Sequence, residues 1–237
     1  MRYLDFFSDA YYINLDSRID RKDLFEARAA KVGLTANRFS AIQPDLKDCP
    51  LSLIRELEEN DLATGTDDTY YKRRKANEVG CCLSHRAIVK EAKERNLSNV
   101  LIFEDDCVFL DSWNQNIQNC IDDLKTVQWD IVYFGGEPNN YCDSLTEHLS
   151  TSNHGGIYCC HAYAINNTFY DRVLNFDLNW CYIIDYFFVN YNINQRTFVL
   201  PKKIMALQGA SYSDLRGHNT KGDCDWMTNA WDKYVKQ

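Results

Sequence analysis

Proline and methionine are scarce in this sequence, four and three residues among 237, and no stretch is rich in proline and glycine. Linkers between independent domains are usually written in such residues, so their scatter predicts one folded domain over residues 1–237. No window approaches 18 consecutive apolar residues, which leaves no candidate transmembrane helix. Asp5 and Asp9 stand where a signal peptide needs its apolar segment. The chain therefore reads as soluble and cytoplasmic, in a bacterial cytosol or a viral factory, or as lumenal if an anchor was trimmed away. Positive charge is also short: 26 Lys and Arg face 34 Asp and Glu, a formal net charge of −8. That balance argues against nucleic acid or anionic membrane as partners, because both require clustered cations. A phosphorylated small molecule stays compatible if a few Arg or a divalent cation answer its charge. No C-x-x-C occurs among the ten cysteines, and the adjacent pairs Cys81–Cys82 and Cys159–Cys160 cannot easily bridge internally. The thiols read as buried small hydrophobes rather than as a zinc knuckle or disulfide framework.

What is present suits a full core: 45% of residues are hydrophobic and 14% aromatic. Ala10–Leu15 is an apolar, β-prone run, followed by a polar turn and a helical pattern from Arg21 to Val32 that Gly33 closes. A second short strand follows at Arg38–Ile42. Residues 60–77 are polar and read as a mobile surface loop, with Lys72–Lys75 as a solvated basic face. From Asn77 the spacing of Leu83, Ala87, Val89 and Ala92 predicts a helix. Val100–Phe103 is a continuous apolar strand of the kind buried on both faces of a sheet. Helix and strand alternate again through Trp113–Val127 and Asp130–Phe134. Later come a strand over Gly155–Ile165, a helix capped at Asn167–Thr168 and ending at Leu174, an apolar segment from Ile183 to Val189, and a strand at Thr197–Pro201. The alternation predicts an α/β fold with a Rossmann-like, mostly parallel sheet flanked by helices, whose ligands sit at the carboxyl ends of strands.

Glu104–Asp105–Asp106 follows Val100–Phe103 directly. Three adjacent carboxylates repel one another, and a hard divalent ion relieves that while also binding a diphosphate. A helix cap or solvated turn is the other reading of such a triplet. Its place at the end of a buried strand favours the ion.

Three blocks stand in one order: Tyr12-Ile13-Asn14-Leu15-Asp16-x-Arg18-x-x-Arg21, Glu78-Val79-Gly80-Cys81-Cys82-Leu83-Ser84-His85, and Leu101-Ile102-Phe103-Glu104-Asp105-Asp106. Together they resemble the signature blocks of glycosyltransferase family 25, over roughly residues 10–215 and more thinly after Gly136. The resemblance implies a GT-A-type single domain, a UDP-hexose donor (galactose more than glucose) and inversion at the anomeric carbon. The acceptor it implies is a hydroxyl on a glycan or hydroxylysine. It also implies Mn²⁺ (or Mg²⁺) at Glu104 and Asp106, with His218 as a candidate third ligand against the plainer reading of a surface histidine. Asn14, Leu15, Arg18, Arg21, Ser84, His85 and Asp105 are then expected at the donor. Arg18 and Arg21 could pair with phosphate or hold the loop by ion pairs. His85 could contact the donor, support another residue, or be a core imidazole on a backbone carbonyl.

Inverting transfer needs a base on the face opposite the leaving group. Asp185, an isolated acid in Ile183-Ile184-Asp185-Tyr186-Phe187-Phe188, is the expected base, although a helix cap would place an acid there too. Two other readings compete: a metal-dependent nucleotidyltransferase or phosphohydrolase, and a non-catalytic glycan-binding module on the same fold.

Overall fold

The computed structural model describes residues 5–65, 68–152, 155–191, 197–209, 212–213, 218–219 and 225–235, with 212–213 and 218–219 described by backbone alone. In chain order the elements are β1 (Ala10–Asn14), α1 (Ile19–Lys31), β2 (Asn37–Ser40), α2 (Leu51–Thr64), α3 (Thr69–Glu94), β3 (Asn99–Glu104), β4 (Cys107–Phe109) and α4 (Asp111–Leu124). There follow β5 (Ile131–Tyr133), β6 (Glu137–Pro138), β7 (Cys142–Ser144), β8 (Leu149–Ser152), β9 (Ile157–Tyr158), β10 (Ala162–Asn166), α5 (Asn167–Asn175) and α6 (Ile184–Tyr191). The last are β11 (Phe198–Pro201), β12 (Ala206–Gln208), β13 (Tyr212–Ser213), β14 (His218–Asn219) and α7 (Asp225–Tyr234).

An eight-stranded sheet runs in the order β2-β1-β3-β10-β5-β11-β8-β7. The expected α/β, GT-A-like architecture is present, with a mixed sheet. β1 pairs in parallel with β2 and β3, and β5 with β11. β10 runs antiparallel between β3 and β5, and β8 runs antiparallel to β11 and β7. Strand periodicity explains why both faces are buried. Tyr11, Ile13, Val100 and Ile102 face one core with Ile88, Val89, Phe169 and Phe188 of α3, α5 and α6. Ala10, Tyr12, Leu101 and Phe103 face the other core with Phe25 of α1 and Trp113 and Ile117 of α4.

The parallel β2-β1-β3 trio ends on one edge, and β10 begins on that same edge because it runs the other way. Ile13 is therefore level with Glu104, and the Glu104 N–H donates to the His161 carbonyl at 3.0 Å. The site is built along this edge.

Three expectations change. Residues 60–77 are not a loop: α2 reaches Thr64 and α3 begins at Thr69, with Thr66 and Asp67 outside the described residues. The Asp68 carboxylate caps α3 by accepting from the Tyr71 N–H at 2.9 Å. Two residues of the basic run face α2 instead of water: Lys72 pairs with Asp61, and Lys75 lies 3.3 Å from Glu56, while Arg73 is exposed. Leu53, Leu57, Ala76 and Val79 pack beneath these pairs. Charge density hid the first turns of α3, whose buried stripe begins only at Ala76. The strand expected over Gly155–Ile165 is broken into β9 and β10 at Cys159, whose φ is +70°. The Asn167–Thr168 cap is replaced by Asn166 at the cap position, while the Thr168 hydroxyl donates to Asp130 at 2.6 Å. The cysteine reading fits: the nine described cysteines are all free, and six are buried.

Candidate active site

Asn14, the last residue of β1, uses every polar atom of its side chain. Its Nδ2 donates to Asp105 Oδ2 at 2.7 Å and to the Arg18 carbonyl at 3.0 Å, while Oδ1 accepts from Arg38 Nε at 2.9 Å. Asp105, just beyond β3, is 6% exposed, and its other oxygen accepts from Arg21 Nη1 at 2.7 Å. Burial outweighs these partners and holds the Asp105 carboxyl above its ordinary range. Asn14, Arg21 and Asp105 thus lock the turn after β1 to the turn after β3. Arg18 lies outside this lock and grips Asp20 with two nitrogens, at 2.9 and 2.7 Å. Of the two roles open to Arg18 and Arg21, the structure displays ion pairs that hold loops.

Ser84 does similar work on the opposite wall. Its hydroxyl donates to the Gly80 carbonyl at 2.7 Å and accepts from the Ile42 N–H at 2.8 Å, tying the strand-to-helix connection onto α3. Gly80 makes the approach possible, since a Cβ there would stand 2.3 Å from the Ile42 carbonyl oxygen. His85, one turn on from Cys81, is 0% exposed. Its Nδ1 is bonded to the Tyr163 hydroxyl at 3.0 Å, not to a backbone carbonyl, and its Nε2 lies 3.5 Å from Glu104 Oε1.

Between these walls lies a cleft of about 700 Å³, counted to its open mouth. Asn14, Leu15, Arg21, Ser84, His85, Glu104, Asp105 and Asp106 all line it, so eight of the expected donor and metal residues converge. Among the described residues, Arg18 and Asp185 are not in the lining. The side chain of His218 lies outside the described residues.

The acidic triplet divides its labour. Asp105 is tied up in the lock, whereas Glu104 and Asp106 present carboxylates to the cleft. Asp106 Oδ2 accepts from Gln208 Nε2 at 3.2 Å, and its buried Oδ1 has no hydrogen-bond partner. Burial, and then the charge of Glu104, raise the Asp106 carboxyl to about 7. Burial pushes Glu104 up as well, but the neighbouring His85, with His161 and Arg21, holds it below its ordinary value. An orphaned, buried carboxylate oxygen beside a second carboxylate is a donor set suited to a hard divalent cation.

Asp185 opens α6 close to this cleft. Its Oδ2 accepts from the Cys159 N–H at 3.4 Å and its Oδ1 from the Tyr186 N–H at 2.9 Å. Gly156 permits the approach of α6, because a Cβ there would meet Val189 at 2.2 Å. Burial raises the Asp185 carboxyl; the two backbone donors oppose this, and the charge of Glu104 adds to it. The two acids therefore sense one another across the site.

Sequence reasoning left out Cys81, Asn77, Gln208 and His161. The first three line the cleft, and His161 is fully buried beside Glu104 with its Nε2 3.4 Å from the Ala206 carbonyl. Only the β12–β4 pairing, with Gln208 opposite Cys107, reveals that Gln208 meets Asp106.

A family model described as "Glycosyltransferase family 25 (LPS biosynthesis protein)" matches residues 7–154. The chain is 31% identical over 137 residues to "Inactive glycosyltransferase 25 family member 3" of Homo sapiens, covering 56% of this chain and 22% of that protein. It is 30% identical over 131 residues to "Procollagen galactosyltransferase 1-A" of Xenopus laevis, covering 54% and 21% of the two chains. "Procollagen galactosyltransferase 2" of Homo sapiens is 28% identical over 132 residues, with 54% and 21% covered. The matches thus span about a fifth of the length of these relatives. The residues from Asn14 to Asp106 fall inside the family match, whereas Asp185 and Gln208 fall beyond it.

Proposed function

The chain belongs to glycosyltransferase family 25, and from that premise we propose that it transfers a hexose from a UDP-sugar to an acceptor hydroxyl, with inversion. One observation carries the reading: two cleft carboxylates, one with an orphaned oxygen, share an electrostatic neighbourhood with a separate, partly buried acid. Glu104 and Asp106 fit Mn²⁺ or Mg²⁺, and an ion held there would neutralise the donor diphosphate as UDP departs. Asn14, Arg21, Asp105 and Ser84 act by holding the walls between which the donor lies. Leu15, Ile42 and Gln43 supply the surface for its uridine end. Asp185 takes the acceptor proton: its raised carboxyl is a stronger base than a solvated aspartate, and the Cys159 and Tyr186 N–H groups keep it aimed.

Galactose is the favoured hexose, because two relatives are named galactosyltransferases. The acceptor belongs to one of the two classes that those names and the family description suggest, a collagen-type peptide or a surface glycan. A second reading, a non-catalytic module that binds donor or glycan, is favoured by the relatives named inactive. The two separate in one experiment, UDP release from UDP-galactose and UDP-glucose with Mn²⁺ or with EDTA. Metal-dependent release, faster with galactose, is the expected result. Calorimetric UDP binding without release from either donor, whatever the acceptor, selects the second reading.

A further inference from the structure

Cys81 and His85 lie four residues apart on α3 and so share one face of the helix. That face meets the end of β3, where the Cys81 sulfur, a His85 ring nitrogen and a Glu104 carboxylate oxygen all lie within 4.8 Å of one another. We propose that Cys81, His85 and Glu104 form a thiolate–imidazole–carboxylate site for zinc, distinct in ligand chemistry from the Glu104–Asp106 site and sharing Glu104 with it.

The state of His85 is the independent sign. The ring is fully buried, and Tyr163 anchors it through Nδ1 at 3.0 Å. Its Nε2 makes no hydrogen bond and lies 3.5 Å from Glu104. A metal-ligating histidine has this form: one nitrogen held by an outer partner, the other left to the ion. When Nδ1 donates to the Tyr163 oxygen, the Nε2 lone pair is directed at the cluster. Ligand atoms of a tetrahedral zinc stand roughly 3.5 Å apart, so donors that lie within 4.8 Å of one another need to close by no more than about 1.3 Å. That is within a side-chain adjustment at Cys81, which is only partly buried.

The donor set also selects the ion. A thiolate and an imidazole favour zinc over magnesium or manganese, which prefer oxygen. Binding releases the thiol proton to solvent. The thiolate and the Glu104 carboxylate then balance the two charges of the ion, with His85 neutral. Three protein ligands leave a fourth position open to water or a substrate oxygen. Zinc seated here withdraws Glu104 from the carboxylate pair. Where the transferase reading holds, zinc therefore competes with the activating ion; the binding itself does not depend on that reading.

Cobalt(II) serves as the probe, added to the metal-free full chain under a non-thiol reductant. A thiolate-to-cobalt charge-transfer band is expected to saturate near one equivalent and to bleach when Zn²⁺ is added. Cys81→Ser should remove the band, and Cys159→Ser, outside the cluster, should keep it. No band, or a band that survives Cys81→Ser, overturns the site. Because Cys81→Ser touches the cleft wall, a second measurement uses the wild-type chain alone. Zn²⁺ should slow alkylation of Cys81, mapped by mass spectrometry, at least tenfold while leaving Cys181 unchanged. Equal rates with and without Zn²⁺ overturn the proposal independently of any variant and of any activity.

Discussion

Replacing Arg21 by methionine tests what holds the acidic turn to the rest of the site. The Arg21 and Asp105 side chains are 12% and 7% exposed, and their nitrogen and oxygen stand 2.7 Å apart. Methionine keeps much of the stem's packing but leaves the Asp105 carboxylate with Asn14 as its remaining side-chain donor, beside Glu104 and Asp106. Removing one partner of a buried pair costs about 3–5 kcal/mol. The slight exposure of this pair places the loss near the lower end, about 3 kcal/mol. For a chain of this length that lowers the melting temperature by roughly 6–12 °C. Adding Asp105→Asn removes the stranded charge and should recover about 2 kcal/mol of the loss. The deficit should also depend on pH with a definite sign. Burial already holds the Asp105 carboxyl above its ordinary range, and loss of the guanidinium raises it further. A carboxyl raised in the fold costs stability above its folded pKa and nothing below its unfolded value of about 3.9. The Arg21→Met deficit is therefore full near neutrality and shrinks as pH falls through the raised value. Urea unfolding of the three variants at neutral and mildly acidic pH measures this. A loss below about 1 kcal/mol at neutrality, or no recovery in the double variant, refutes the buried-pair account.

Asp185→Asn should lower kcat by about 10²–10⁴ while calorimetry finds UDP-sugar affinity unchanged; an unchanged kcat removes Asp185 as base. In the wild type, kcat/KM should fall tenfold per pH unit on an acid limb whose pKa lies above the usual carboxylate range, since burial and then Glu104 raise Asp185. A limb at about 3.9 counts against that assignment. Asp106→Ala should cost at least about 100-fold in metal-supported turnover, and retention of full Mn²⁺ affinity by that variant argues against the carboxylate site. Gly80→Ala forces a Cβ to within 2.3 Å of the Ile42 carbonyl oxygen. It should cost about 1–3 kcal/mol in urea unfolding and weaken UDP binding, because Ile42 lines the cleft. A variant as stable as wild type would mean that the connection after β2 yields freely.

Much of this protein is legible along the chain because the signals are local. Burial on both faces of Ala10–Asn14 and Asn99–Glu104 is written in their apolar runs, and Gly33, at φ +69°, closes the first helix as its position suggests. The order of the three blocks and the carboxylates at the end of β3 likewise point to the sheet edge where the cleft lies. Tertiary structure decided what each of those residues does. Asn14, Ser84 and Asp105 have the polarity of ligand contacts, yet Asn14 and Asp105 bond to each other and Ser84 to Gly80 and Ile42, which sequence spacing does not reveal. The helix from Thr69 was hidden because its charges pair with α2, a segment with its own polar face. Gln208 reaches Asp106 through a pairing 102 residues long, and Cys81, His85 and Glu104 meet only where α3 crosses the end of β3. Strand and helix propensities are properties of neighbours in sequence, whereas a site is a convergence of segments, and packing sets that convergence.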